Sequence, residues 1–90
     1  MLLAIDVGNT NTHLGGFRDG DLAEHWRFQT GAGATGDEIA ERIAGLLALS
    51  GIDVSEVDAI VVSSVVPPLG SEYEAMAKRF FGDVDPIGKR

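Results

Sequence analysis

The sequence predicts an α/β fold with a mixed sheet, and the order of its patterns supports this prediction. Three short strand patterns come first, over residues 2–5, 14–18 and 22–30. Turn residues such as Gly, Asn and Asp separate them, as in antiparallel hairpins. A helical pattern, a β-branched run at 59–62 and a second helical pattern follow. A strand reached through a helix is typical of a right-handed parallel crossover.

The first strand ends in a polar turn that predicts a site for nucleotide phosphates. Gly8 and Asn9 tolerate the positive φ of a two-residue hairpin turn. Successive backbone N–H groups beside small side chains can face one anion, and Thr10 and Thr12 add hydroxyl groups. Asp6 would hold a hydrated divalent cation that bridges phosphate oxygens. The alternative is a plain hairpin, in which Asp6 bonds the backbone of its own turn.

The remaining strands and the connector are predicted to have structural roles only. The third strand places Leu22, Glu24, Trp26 and Phe28 on one face, as in an edge strand with one buried face. Residues 30–36 form a connector of small residues. The run at 59–62 predicts a central strand that is covered on both faces. The next strand is expected to begin at Val84, close to the end of the sequence.

Each predicted helix carries a cap and an apolar stripe. Thr35 and Glu38 have the spacing of a capping box, and the first helix is expected to end near Ser50 and Gly51. Ser71 and Glu74 have the same spacing at the second helix, which Gly82 is expected to end. The apolar stripes are Ile39, Ile43, Leu46 and Leu47 in the first helix, and Tyr73, Met76, Ala77, Phe80 and Phe81 in the second.

Ser63 and Ser64 follow the predicted central strand and allow two interpretations. Ligands of open α/β sheets bind beyond the carboxyl ends of strands, so either serine could line a cleft that faces Asp6. Alternatively, both end the strand and form local hydrogen bonds before Pro67. No His and Asp pair accompanies them, so the sequence makes neither serine a nucleophile.

The amino-acid composition narrows the range of possible partners and sites. The 90 residues carry 14 Asp and Glu against 7 Lys and Arg, a net charge of −7. This balance disfavours nucleic acid and anionic membranes as partners. There is no cysteine, and His13 with His25 does not make a zinc ligand set. The first apolar run is too short for a signal peptide or a membrane span, so a cytoplasmic location is expected.

Two segments resemble a known family. Leu3-Ala4-Ile5-Asp6-Val7-Gly8-Asn9-Thr10-Asn11 is similar to the first phosphate-binding loop of the acetate and sugar kinase, Hsp70 and actin superfamily. Residues 60–68, Ile-Val-Val-Ser-Ser-Val-Val-Pro-Pro, resemble type III pantothenate kinases, also called the Bvg accessory factor family. The resemblance implies a ribonuclease-H-like (actin-like ATPase) half-domain with strand order 3-2-1-4 and two helices. Residues 1–90 would be an incomplete N-terminal domain, truncated before the fifth strand and lacking the second domain.

The resemblance also implies a function, the ATP-dependent phosphorylation of pantothenate to 4′-phosphopantothenate, the first step of coenzyme A biosynthesis. The implied cofactors are ATP, Mg²⁺ through Asp6, and a K⁺ or NH₄⁺ ion whose site lies outside this chain. The catalytic Asp of the family lies in a downstream Gly-Ala-Asp-Arg-like segment, so this chain alone is expected to be inactive. The intact protein would be a homodimer. The implied nucleotide-binding residues are Asp6, Val7, Gly8, Asn9, Thr10, Asn11, Thr12 and His13.

Two alternatives belong to other classes. One is a different kinase or ATPase of the same superfamily, which the segment at 60–68 disfavours. The other is a non-catalytic regulatory or interaction fragment.

Overall fold

The computed structural model describes residues 1–81 and 86–87. Its elements follow one another in the predicted order, with a one-turn 3₁₀ helix added before the fourth strand. They are β1 (Leu2–Val7), β2 (Asn11–Arg18), β3 (Asp21–Gln29), α1 (Gly36–Leu49), the 3₁₀ helix (Val54–Glu56), β4 (Ala59–Ser64), α2 (Pro67–Phe80) and β5 (Pro86–Ile87).

The strands form one mixed sheet in the order β3-β2-β1-β4-β5. β1 is antiparallel to β2 and parallel to β4, so the predicted order 3-2-1-4 is confirmed. The sheet continues one strand further, because Pro86–Ile87 pairs with β4 in parallel. The predicted starting point of that strand, Val84, and the predicted helix end, Gly82, lie outside the described residues.

The hydrophobic core lies on one face of the sheet. Alternate residues of β1 and β4 are buried there and form one cluster with buried residues of α1 and α2. On the opposite face, Ala59 and Val61 are only half-buried. The prediction that this run is covered on both faces is therefore wrong within the described residues, because α1 and α2 share one side and one core.

The start of α1 confirms the predicted capping box. The Thr35 hydroxyl accepts a hydrogen bond from the Glu38 N–H at 3.2 Å, and the Glu38 carboxylate accepts one from the Thr35 N–H at 2.9 Å. Ser50 caps the other end, and Gly51 follows with a φ of 74°. Each α-helix has 14 residues. In the part of the chain that the structure describes, no helix is long and apolar enough to cross a membrane.

The predicted cap of α2 is wrong. The helix begins at Pro67, four residues before Ser71, and Val66 precedes it without any capping hydrogen bond from a side chain. Proline is favoured in the first turn because its fixed φ suits a helix and its missing N–H needs no partner there. Ser71 therefore lies inside the helix.

A bulge changes the face of Leu22, the first expected core residue in β3. The pairing of β2 with β3 shifts between Gly16 and Phe17, which places Leu22 opposite Phe17. Leu22 therefore lies on the face away from the helices and is 54% exposed. Trp26 and Phe28 remain partly buried against the core, so the prediction of one shared face holds for these two residues and not for Leu22.

Candidate functional site

The polar turn between β1 and β2 is an open bend. The Gly8 N–H donates to the Asn11 carbonyl at 3.0 Å, whereas no bond runs from the Asn11 N–H back to the Gly8 carbonyl. Asn9 and Thr10 form the exposed tip of the bend. Their two backbone N–H groups make no hydrogen bond within the described residues. Two adjacent free amides can donate to one anion.

Gly8 is needed for space and not for a positive φ. Within the described residues, positive φ values occur only at Asp19, Gly20 and Gly51. The sequence-based expectation that Gly8 and Asn9 adopt positive φ is therefore wrong. A Cβ atom at Gly8 would lie 2.9 Å from the Asn11 carbonyl oxygen, closer than non-bonded atoms pack. The chain passes so close to itself here that only glycine fits.

Asp6 lies beside the bend, on the sheet face away from the helices. Its neighbours across the strands are His13 of β2 and Ser63 of β4. Asp6 and His13 are exposed, and Ser63 is half-buried. The Asp6 carboxylate makes no hydrogen bond or ion pair with another described residue. It therefore does not form the side-chain turn of the plain-hairpin alternative.

Two of the eight predicted nucleotide-binding residues face the core instead. Val7 and Thr12 are both 0% exposed. The Thr12 hydroxyl lies 2.8 Å from the Thr30 hydroxyl. Burial raises the pKa of Tyr73, while the nearby polar Thr12 and the charge of Arg42 oppose that rise. Thr12 thus joins the bend to the core beneath it.

The remaining predicted residues lie around the bend. Asp6 and His13 occupy the open face, Asn9 and Thr10 occupy the tip, and Gly8 and Asn11 are half-buried at its base. The structure therefore brings six of the eight residues to one accessible region. Thr30 belongs to the same region but was read from the sequence as part of a connector. No local pattern marks it, because its partner Gly8 lies 22 residues away.

The two serines after β4 behave differently. The Ser64 hydroxyl donates to the Val66 carbonyl at 3.0 Å and accepts from the Val66 N–H at 3.1 Å. This matches the local interpretation for Ser64. Ser63 makes no such bond with a described residue and stands next to Asp6 in the parallel register. Its position is compatible with the cleft interpretation.

The side chains around the bend fit a magnesium ion whose ligands are mostly water and phosphate oxygens. No group of three or more His, Cys, Asp or Glu side chains within residues 1–81 could enclose a metal ion. Mg²⁺ does not need such a cage, since it commonly binds one or two carboxylates and retains several waters beside substrate phosphates. A single free carboxylate next to exposed amides offers that combination.

Comparison with known proteins gives one consistent family. The chain matches the family model described as type III pantothenate kinase over residues 2–88. It is 53% identical to the type III pantothenate kinase of Myxococcus xanthus (strain DK1622) over 81 residues, which are 90% of this chain and 32% of the relative. It is 46% identical to that of Halalkalibacterium halodurans over 81 residues, again 90% of this chain and 32% of the relative.

A third relative extends the match along the chain. The type III pantothenate kinase of Geobacillus sp. (strain WCH70) is 44% identical over 87 residues, which are 97% of this chain and 33% of the relative. The chain thus spans about a third of the length of the curated relatives it matches.

Proposed function

Because this chain belongs to the type III pantothenate kinase family, we propose that it supplies the ATP-phosphate loop of an enzyme that phosphorylates pantothenate. The reaction transfers the γ-phosphoryl group of ATP to the substrate hydroxyl and is the first step of coenzyme A biosynthesis. One observation carries the proposal for this chain. Among the residues that the structure describes, the exposed amides of Asn9 and Thr10 have no hydrogen-bond partner, and neither has the carboxylate of Asp6 beside the bend.

The residues of the bend would act mainly by position and charge. Protein groups in phosphoryl transfer hold the phosphates and neutralise developing charge. In our proposal the amides of Asn9 and Thr10 donate to the β- and γ-phosphate oxygens, and Asn11 and Gly8 shape the base of the loop. Asp6 would hold Mg²⁺ through water. The bound ion would neutralise phosphate charge.

The neighbouring residues receive different roles. His13 lies on the same face as Asp6 and is proposed to flank the nucleotide. Val7 and Thr12 are proposed to support the loop from the core, since both are buried. No described residue is proposed as the general base or as the K⁺ or NH₄⁺ ligand. We therefore expect no turnover by this chain alone.

The proposal also covers the partners, the oligomeric state and the location of the protein. Its partners would be ATP and pantothenate, and the intact protein would be a cytoplasmic homodimer. The net charge of −7 supports the absence of nucleic-acid and anionic-membrane partners, because both attract basic surfaces.

Calorimetric titration of the 90-residue chain with ATP, with and without Mg²⁺, tests the proposal. We expect binding that requires Mg²⁺ and that Asp6→Asn weakens by about tenfold, or about 1.4 kcal/mol. Asp21→Asn is the matched control, because it removes the same charge at an exposed site where β3 begins. A separate assay with pantothenate should detect no ADP formation.

Two outcomes would contradict the proposal. Equal affinity of Asp6→Asn, Asp21→Asn and the unsubstituted chain would remove Asp6 from the site. Affinity that is independent of Mg²⁺, or absent altogether, would favour the non-catalytic interaction fragment.

A further inference from the structure

The Thr30 hydroxyl lies at the centre of a short hydrogen-bond chain. It donates to the Gly8 carbonyl at 2.7 Å and lies 2.8 Å from the Thr12 hydroxyl. A carbonyl oxygen can only accept, so the single Thr30 proton is directed to Gly8. Thr12 must then donate to Thr30. The direction of the chain is therefore Thr12 to Thr30 to Gly8.

This arrangement engages the carbonyl that would close the turn. In a closed turn over residues 8–11, the Gly8 carbonyl accepts from the Asn11 N–H. Here the Thr30 hydroxyl binds that carbonyl instead. The Thr30 N–H also donates to the Thr10 carbonyl at 2.9 Å. One residue thus holds two carbonyls of the bend, and the Asn11 N–H does not bond the Gly8 carbonyl.

The chain of hydroxyls is anchored in the core. Thr12 is fully buried, and Tyr73 of α2, which is 2% exposed, belongs to the core on the same side of the sheet. Satisfied polar networks in a low-dielectric interior hold their members rigidly. The position of the Thr30 hydroxyl is therefore set by the core and not by the exposed tip.

We infer that Thr30 is a positioning residue that holds the bend open, so that the Asn11 amide is not bonded by the Gly8 carbonyl and is available to an anion beside the amides of Asn9 and Thr10. The role in anion binding rests on the proposed function, whereas the role in bend geometry does not. A purely structural Thr30, which only ends β3, would affect stability without changing the bend.

The test compares Thr30→Val, which lacks the hydroxyl, with Thr30→Ser, which retains it. Amide hydrogen exchange of the ¹⁵N-labelled chain is measured by NMR without nucleotide, and Mg²⁺–ATP affinity is measured separately. We expect the Asn11 amide in Thr30→Val to exchange about tenfold more slowly, because the freed Gly8 carbonyl accepts it. ATP affinity should fall about tenfold. Thr30→Ser should match the unsubstituted chain in both measurements.

Two further variants keep the test decisive. Thr30→Ala removes the hydroxyl with less side-chain volume and provides the same comparison if Thr30→Val does not fold. Thr35→Val removes the hydroxyl that caps α1. It should lower the free energy of unfolding while leaving exchange at Asn11 unchanged.

The outcomes separate the two proposals. Unchanged Asn11 exchange in Thr30→Val and Thr30→Ala would overturn the inference, as would slowed exchange in Thr30→Ser. Slowed exchange in Thr30→Val together with no ATP binding by the unsubstituted chain would support the positioning role and reject the proposed function.

Discussion

Alanine at position 8 tests the close approach that defines the bend. A Cβ atom there would lie 2.9 Å from the Asn11 carbonyl oxygen, whereas non-bonded heavy atoms pack at about 3.5 Å. The obstacle is backbone, so it cannot be relieved by rotating a side chain. The two segments must separate, and the Gly8 N–H bond to the same oxygen, now 3.0 Å, must lengthen.

The expected cost follows from these two effects. Overpacking a tight site costs about 1–3 kcal/mol, and the weakened hydrogen bond falls within about 0.5–1.5 kcal/mol. Because one movement relieves both, we expect Gly8→Ala to lower the free energy of unfolding by about 1–3 kcal/mol. Urea denaturation followed by circular dichroism measures this change.

Gly45→Ala is the matched control. Gly45 is exposed within α1, and a Cβ atom there would meet nothing within 4 Å. Alanine in a helix interior is favoured over glycine by about 0.5–1 kcal/mol, so this variant should be stabilised. If Gly8→Ala were also stabilised, or left the free energy of unfolding unchanged, the close approach and the open bend built on it would be refuted.

Three further predictions concern the scaffold. Ile43→Ala should lower the free energy of unfolding by about 2–5 kcal/mol, because Ile43 is 0% exposed; a urea midpoint equal to that of the unsubstituted chain would contradict this core assignment. The backbone hydrogen bond from Thr35 lowers the pKa of Glu38 from 4.5, so Glu38 stabilises the fold above pH 4.5 and this contribution is lost as the pH falls through the lowered pKa. Denaturation across acid pH should show a weaker dependence in Glu38→Gln, and an identical profile would be inconsistent with the capping box. Burial raises the pKa of Tyr73 above 10.0, so its contribution to the free energy of unfolding is intact below pH 10.0 and is lost as the pH rises through the raised pKa. Tyr73→Phe should reduce this loss of stability at alkaline pH. Denaturation at alkaline pH that is the same in both proteins would speak against a buried phenol.

Local sequence signals were sufficient for most of the scaffold. The turn residues separated three strands, and the apolar stripes located two helices, so the strand order 3-2-1-4 followed from connectivity. The Thr35 and Glu38 box and the Gly51 helix end were also correct. Each of these features depends on residues within a few positions of one another.

The errors have physical causes that sequence spacing does not contain. The bulge beside Phe17 moves Leu22 to the other face, and a bulge depends on pairing between strands. Ser71 has the right spacing to Glu74 for a cap, but the prolines that start α2 lie earlier and determine its first turn.

The candidate site was predictable in composition but not in geometry. The residues from Asp6 to His13 do surround one bend, yet alternation in β1 and β2 places Val7 and Thr12 in the core. The part played by Thr30 could not be predicted, because it depends on contacts with Gly8 and Thr12 that only the folded chain creates.

An NMR titration of the ¹⁵N-labelled chain with ATP and Mg²⁺ tests the central claim most directly, because it reports on each amide separately. We predict that the largest amide shift changes occur at Asn9 and Thr10 and that they require Mg²⁺. Shift changes that spare these two amides, or that are the same without Mg²⁺, would contradict the assignment of this bend as a phosphate site.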